Sequence, residues 1–260
     1  MNEPQPATLK AENEQLKAEL AQVKAATNQY LQNVAHQLTA PLGAIKWSIE
    51  ALKDPRVPLS RKSKLLSSIY SQATILVHLI KNFALMSNLE ADLELGQFRE
   101  KPEPIDVMKL AINLANDFQP QASEQGLKIL VDEVAFSNVF GSKRLAIEKN
   151  LVAQAISNVL ENAVKYADSD GTIRVSAWSD DSHVGIVVES SGIPISDKER
   201  VNIFARGFRG AAARQKVAAG TGIGLYLASR VMTLHEGSIQ LETSGRVSRF
   251  ALIFPRKRLR

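Results

Sequence analysis

Within NVLENAVKY, residues 158–166, Asn158, Asn162 and Lys165 recur at i, i+4 and i+7, a spacing that gathers them on one side of an α-helix. Val159, Leu160, Ala163 and Val164 fall on another side and can pack. Amide carbonyls suit Mg2+ and an ammonium neutralises phosphate, so this stripe suits a metal-bound polyphosphate. The same stripe also describes an ordinary solvated helix face. Further on, GTGIGLYLASRVM sets Gly220, Gly222 and Gly224 at alternate positions ahead of an apolar run of Ile223, Leu225, Leu227, Ala228, Val231 and Met232. Flexible backbone leading into a helix N-terminus is an anion site, although glycines also serve plain tight turns. A third element is His36. It lies two residues from both Val34 and Leu38, about 200° round a helix from each, so it should face solvent opposite the packed seam. A neutral imidazole there can act as a nucleophile or simply be a surface side chain.

The elements that must position these groups follow from periodicity. Leu9, Leu16, Val23 and Tyr30 recur every seven residues, with Asn13, Leu20, Thr27 and Val34 in the alternate seam position; this heptad pattern predicts a paired coiled coil. The stripe continues through Leu38, Leu42, Ile45, Ile49 and Leu52, with Pro41 expected to bend the helix. After KDPRVP, Ser60 can cap a second helix carrying Leu65, Leu66, Ile69, Ala73, Leu76, Ile80, Phe83 and Met86. Two such hairpins, from two chains, would form a four-helix bundle. His78 on the second helix reads as structural or surface. Residues 95–104, with Gly96, Pro102 and Pro104, read as a linker.

Beyond it, strands are expected at 105–109, 127–134, 172–178, 184–188, 237–243 and 249–254, and helices at 110–124 and 149–167. The predicted fold class is α followed by α+β: a lead-in coiled coil at 1–30, a hairpin at 31–95 and an α/β sandwich at 101–260. The chain has 260 residues, 45% of them hydrophobic, enough for a real core. With no cysteine, disulfides, thiolate metal sites and cysteine nucleophiles are excluded. Net charge is +5, with four basic residues in the terminal PRKRLR; plain solvation explains them, and no nucleic acid partner is expected. No apolar run approaches the roughly 18 to 20 residues of a membrane span, and MNEPQPATLK lacks a signal-peptide core, so a cytoplasmic location is expected.

Taken together, NVLENAVKY, ESSGIPIS, IFARGFRG and GTGIG stand in the order seen in the Bergerat-type ATP-binding fold of sensor histidine kinases, and HQLTAPL, beginning at His36, resembles that family's phosphoacceptor box. The resemblance implies ATP and Mg2+ as cofactors, a homodimer, and a response-regulator receiver domain as partner, with the signal arriving from a separate sensor or upstream protein. It implies Asn162 as the Mg2+ ligand, Asn158 as a neighbouring polar or metal-site partner, Lys165 as a phosphate contact and Tyr166 as an adenine wall. Gly192 matches the glycine of the adenine-side motif. Gly220, Thr221, Gly222, Ile223, Gly224 and Leu225 form the phosphate-side loop and helix start. Phe204, Phe208 and Arg209 match the aromatic box beside a lid, residues 206–220, expected to be mobile without nucleotide.

Three positions depart from the family pattern. Gln37 stands where an acidic residue usually follows the histidine; an amide accepts a hydrogen bond but is no base at neutral pH. Ala40 replaces the usual Thr or Asn, which predicts weak or absent phosphatase action on the partner. Ser190 replaces the aspartate that accepts the adenine amino proton, a loss of about 1 to 2 kcal/mol, while Glu189 should point to the other face of its strand. The reading is a protein histidine kinase with His36 and Gln37 at the reacting position. The alternatives are a nucleotide-binding pseudokinase or dimeric scaffold acting by contact, and a related ATPase.

Overall fold

The computed structural model describes the backbone of residues 6–94, 101–217 and 220–260, and side chains chiefly of 34–87, 101–217 and 220–260. The expected linker at 95–104 lies largely outside the described residues, and so do the seam side chains of the coiled-coil lead-in up to Tyr30. What is described there is a single helix, α1 (Pro6–Leu52), continuous through Pro41. It packs against α2 (Leu59–Glu94) as a helical hairpin. In the turn between them the Arg56 guanidinium donates twice to the Asp54 carboxylate, at 3.0 Å each. Pro58 precedes α2, which therefore starts one residue before the expected Ser60 cap.

The remainder is a sheet covered by helices. Strands β2 (Lys128–Val131), β4 (Thr172–Ser179), β5 (His183–Ser191), β6 (Ser238–Ser244) and β7 (Val247–Pro255) lie in the order β2-β4-β5-β7-β6. Only the β2–β4 pairing is parallel. Alternation sets the inner face: Val184, Ile186 and Val188 sit opposite Phe254, Leu252 and Phe250, and all six are buried. Against that face pack α3 (Val107–Ser123), α5 (Lys149–Tyr166) and α8 (Gly224–Leu234). In α5, Val152, Ala155, Ile156, Val159, Leu160, Ala163 and Val164 are buried, a stripe wide enough to meet both sheet and neighbouring helices.

Several local expectations are corrected. The strand expected at 105–109 is cut short: β1 is Glu103–Ile105, and Asp106 caps α3 by accepting from the Lys109 amide at 3.1 Å. Asp132 likewise caps an unexpected helix α4 (Glu133–Phe140), ending β2 early. An unexpected β3 (Leu145–Ile147) pairs with β1. The basic C-terminus is built into this domain. Its last turn, Arg256–Arg258, buries Arg258, which donates to the Ala146 carbonyl at 3.1 Å, and Arg260 exchanges two backbone hydrogen bonds with Arg144.

The hairpin is docked on the second domain. α2 contacts α3, α5 and α8, and its Leu85 and Met86 join the main core. Among the described residues, no helix is long and apolar enough to cross a membrane.

Candidate nucleotide site

One cavity collects the C-terminal half of α5, the end of β5, the glycine loop and the segment before it. From α5 it is lined by Glu161, Asn162, Lys165 and Tyr166; from β5, the residue after it, and β7 by Ser190, Gly192, Ser248 and Phe250; from the loop and α8 by Gly220, Thr221, Gly222, Gly224 and Leu225; and from the preceding segment by Phe208 and Arg209. The hairpin closes one side with Gln37, Leu79 and Asn82.

The backbone makes this convergence possible at two glycines. Gly192 sits where the end of β5 crosses the end of α5, and a Cβ there would lie 2.1 Å from the Tyr166 carbonyl oxygen. Gly222 has φ +68°, a left-handed conformation, and its Cβ would lie 2.7 Å from Phe208 O. Other expected site residues sit just outside the cavity. Phe204 packs edge-on against Phe250, its ring 6.4 Å away, behind the wall. Ile223 is buried beneath the loop, and its amide donates to Thr221 Oγ1 at 3.3 Å. Glu189 pairs with Arg249, leaving Ser190 as the β5 side chain toward the cavity.

The lid expected at 206–220 contains a helix, α7 (Ala211–Lys216). Arg209 gathers the Ala213, Val217 and Gly220 carbonyls, while the Lys216 ammonium donates to the Tyr166 and Ala167 carbonyls at the end of α5. Glu199, on the short helix α6 (Asp197–Arg200), accepts from Ser196 N and Oγ at 3.0 and 2.7 Å and from Ala211 N at 3.2 Å, tying α6 to α7.

Polar groups on α5 are held from across the domain boundary. His78 Nδ1 accepts from Gln154 Nε2 at 2.9 Å, so the tautomer protonated on Nε2 fits; Nε2 lies 3.0 Å from both Asn158 Oδ1 and Glu161 Oε2. Asn82 donates to Asn158 Oδ1 at 2.7 Å. Glu161 also takes the Lys165 ammonium at 2.6 Å. Burial opposes ionisation of Glu161, but the Lys165 charge, then His78, outweigh it and hold the carboxyl far below the usual carboxylate range. Asn158 is 1% exposed, and its Nδ2 has no partner among the described residues.

Residues 147–258 match the family described as histidine kinase-, DNA gyrase B- and HSP90-like ATPase, and residues 26–92 match the His kinase A phospho-acceptor domain. The two domain matches together support a histidine kinase catalytic core, as do the relatives that the chain resembles. The chain is 26% identical over 227 residues to the phosphate regulon sensor protein PhoR of Pseudomonas aeruginosa, covering 86% of this chain and 49% of that protein. It is 28% identical over 253 residues to the heme sensor protein HssS of Staphylococcus aureus, covering 97% and 52%. The chain therefore spans about half the length of the curated relatives it matches. The fold is similar to that of Acinetobacter baumannii histidine kinase AdeS, with a TM-score of 0.53 at 18% identity over 85% of this chain and 97% of that one. Full-length ShkA, solved in complex with AMPPNP, gives a TM-score of 0.54 at 19% identity over 88% and 45%.

Within this histidine kinase core, the sequence-derived site residues separate into two sets. Asn162, Lys165, Tyr166, Ser190, Gly192, Phe208, Arg209 and the glycine loop meet at the cavity. His36 is exposed on α1, and the neighbouring Gln37 is the side chain that reaches the cavity. Sequence reasoning missed His78, Asn82, Gln154 and Glu161. A signal was present: Ser71, His78 and Leu85 recur every seven residues on α2 and all are buried, whereas Leu66, Ile80 and Phe83 of the expected apolar stripe are 58%, 51% and 39% exposed.

Proposed function

We propose that this chain is the catalytic core of an ATP-dependent protein histidine kinase that phosphorylates His36 and passes the phosphoryl group to an aspartate of a response-regulator receiver domain. The observation that carries the reading is the meeting of Asn162, Lys165 and Tyr166 with the Gly220–Gly224 loop around one cavity, in a chain whose α1 bears an exposed histidine. The residues fit a magnesium-bound triphosphate. The Asn162 carbonyl is a hard oxygen donor that lines the cavity beside Lys165. That suits Mg2+, which takes one or two protein ligands and fills the rest with phosphate and water. Bound there, Mg2+ would neutralise charge on the phosphates.

The chain's own residues divide the work. Backbone amides at the N-terminus of α8 face the phosphates, Lys165 supplies a positive charge, Tyr166 and Phe250 wall the base, and Ser190 offers a neutral acceptor for the adenine amino group. An imidazole nitrogen of His36 attacks the γ-phosphorus, the bond to the β-phosphate oxygen breaks, ADP departs, and the imidazole proton goes to solvent because Gln37 is no base. Since adjacent helical residues point about 100° apart, presenting His36 where Gln37 now stands requires α1 and the ATP domain to turn relative to each other. The test is incubation with γ-labelled ATP and Mg2+. Acid-labile label on the wild type that disappears in His36→Gln supports the reading; label that persists in the variant refutes the assignment of His36. Nucleotide binding without label would instead favour a regulatory scaffold.

A further inference from the structure

The Gln37 side chain does something the neighbouring histidine does not. With its amide oriented by its surroundings, Oε1 accepts from the Thr221 amide at 2.8 Å and the Gly220 amide at 3.0 Å. Two consecutive backbone N–H groups converging on one oxygen, followed by the left-handed Gly222, form the kind of concave cradle that binds anions. These donors belong to the loop that leads into α8. A neutral carbonyl oxygen from the hairpin fills this cradle. Leu79 and Asn82 of α2 border the same cavity from the hairpin side.

We propose that Gln37 is an intramolecular competitor of the nucleotide phosphates: its carbonyl and a phosphate oxygen use the same two amides, so hairpin docking at α1 and nucleotide binding exclude one another. This rests on the reading of the cavity as an ATP site. Each amide has one hydrogen, and both are spent on Gln37. A triphosphate entering the loop must expel the Gln37 side chain, which releases the helix turn carrying His36. The residue beside the candidate phosphoacceptor therefore acts as a plug that only nucleotide removes, and the histidine is kept from the phosphates until the site is loaded.

The absence of cysteine from the sequence makes a direct test possible. In the full chain, Gln37→Cys together with Thr221→Cys should be joined by a short reducible bifunctional thiol reagent; AMPPNP with Mg2+ added beforehand should slow the crosslink, and the crosslinked protein should lose nucleotide binding that returns on reduction. In parallel, Gln37→Ala and the shorter Gln37→Asn should bind AMPPNP about five- to thirtyfold more tightly than wild type by calorimetry, the weight of two hydrogen bonds removed from competition. Crosslinking unaffected by nucleotide, or an affinity unchanged in both single variants, overturns the competition. Asn162→Ala separates the two ideas. If it abolishes binding while Gln37→Ala leaves affinity at the wild-type value, the ATP site stands and the plug falls. If neither wild type nor Gln37→Ala binds AMPPNP, both fall.

Discussion

His78 Nε2 lies 3.0 Å from Glu161 Oε2 across the boundary between the hairpin and the ATP domain, with both side chains less than a tenth exposed. Glu161 is one residue before Asn162, so a contact that holds the domains together ends beside the candidate cation ligand. Removing the imidazole leaves Glu161 with Lys165 but deprives two buried acceptors of a donor. His78→Ala should therefore cost about 1 to 3 kcal/mol in urea unfolding. In a double-mutant cycle with Glu161→Gln the two changes should couple by more than about 0.5 kcal/mol. Strict additivity would mean that the pair contributes nothing beyond its separate burial.

The two glycines that shape the cavity should fail in different ways. An alanine Cβ at Gly192 would overlap the Tyr166 carbonyl at 2.1 Å, and the obstacle is backbone of the long core helix. Gly192→Ala should lower stability by about 1 to 3 kcal/mol, measured by thermal unfolding. Gly222→Ala meets the Gly207 and Phe208 backbone at 2.7 Å and also demands φ +68°. That segment is peripheral, so the loop can shift. Stability should change less than in Gly192→Ala, while nucleotide affinity falls at least about tenfold as the amides lose their aim. Equal destabilisation with intact binding would contradict this division.

Acid should loosen the lid through Glu199. The Ser196 backbone amide, then its hydroxyl, with a further amide from Ala211, hold this carboxyl below its ordinary value of 4.5, against a small desolvation effect. A depressed carboxylate stabilises the structure above that ordinary value, and the benefit disappears as pH falls through the folded-state pKa. The amide resonance of Ala211 should accordingly move on titration below about pH 4.5, with α7 losing its tie to α6. In Glu199→Gln that shift should be absent and the lid already loosened at neutral pH. A wild-type titration of Ala211 matching the variant's would remove Glu199 from this role.

Local chemistry made α5 and the glycine loop legible. The 3.6-residue period of α5 runs unbroken, and three glycines at alternate positions mark flexible backbone directly before an apolar helical run. The differences at β1, α3 and α4 have a shared cause: aspartates at 106 and 132 cap helices directly after short strands, and the valines that follow, Val107 and Val134, fit a continuing strand equally well by residue type. The docking face of α2 was hidden for another reason. His78 and Asn82 are polar by type; His78 is buried and Asn82 half-buried because Gln154, Asn158 and Glu161, more than seventy residues on, complete their hydrogen bonds. A helix pattern reports apolar burial; it does not report a buried polar network whose partners lie on another domain.

The same face analysis yields the final prediction. Leu66, Tyr70, Val77 and Ile80 fall on one stripe of α2 at i, i+4, i+11 and i+14, and each is more than half exposed in the single chain. On α1, Leu42 and Ile49 are seven residues apart and are 52% and 45% exposed. Such contiguous apolar surface on a helical hairpin is costly in water, whereas the opposite, docking face of α2 is already covered by the ATP domain. A second copy of the hairpin is the complementary occupant, burying like stripes in a four-helix bundle. Sedimentation equilibrium should therefore give a dimer. Leu66→Glu combined with Val77→Glu should shift it to monomer by placing charge in the seam, with the ATP domain still folded by circular dichroism and AMPPNP affinity changed by less than about threefold, since neither residue lines the cavity. A wild-type monomer at tens of micromolar, or a dimer untouched by both glutamates, would mean that this stripe serves another partner.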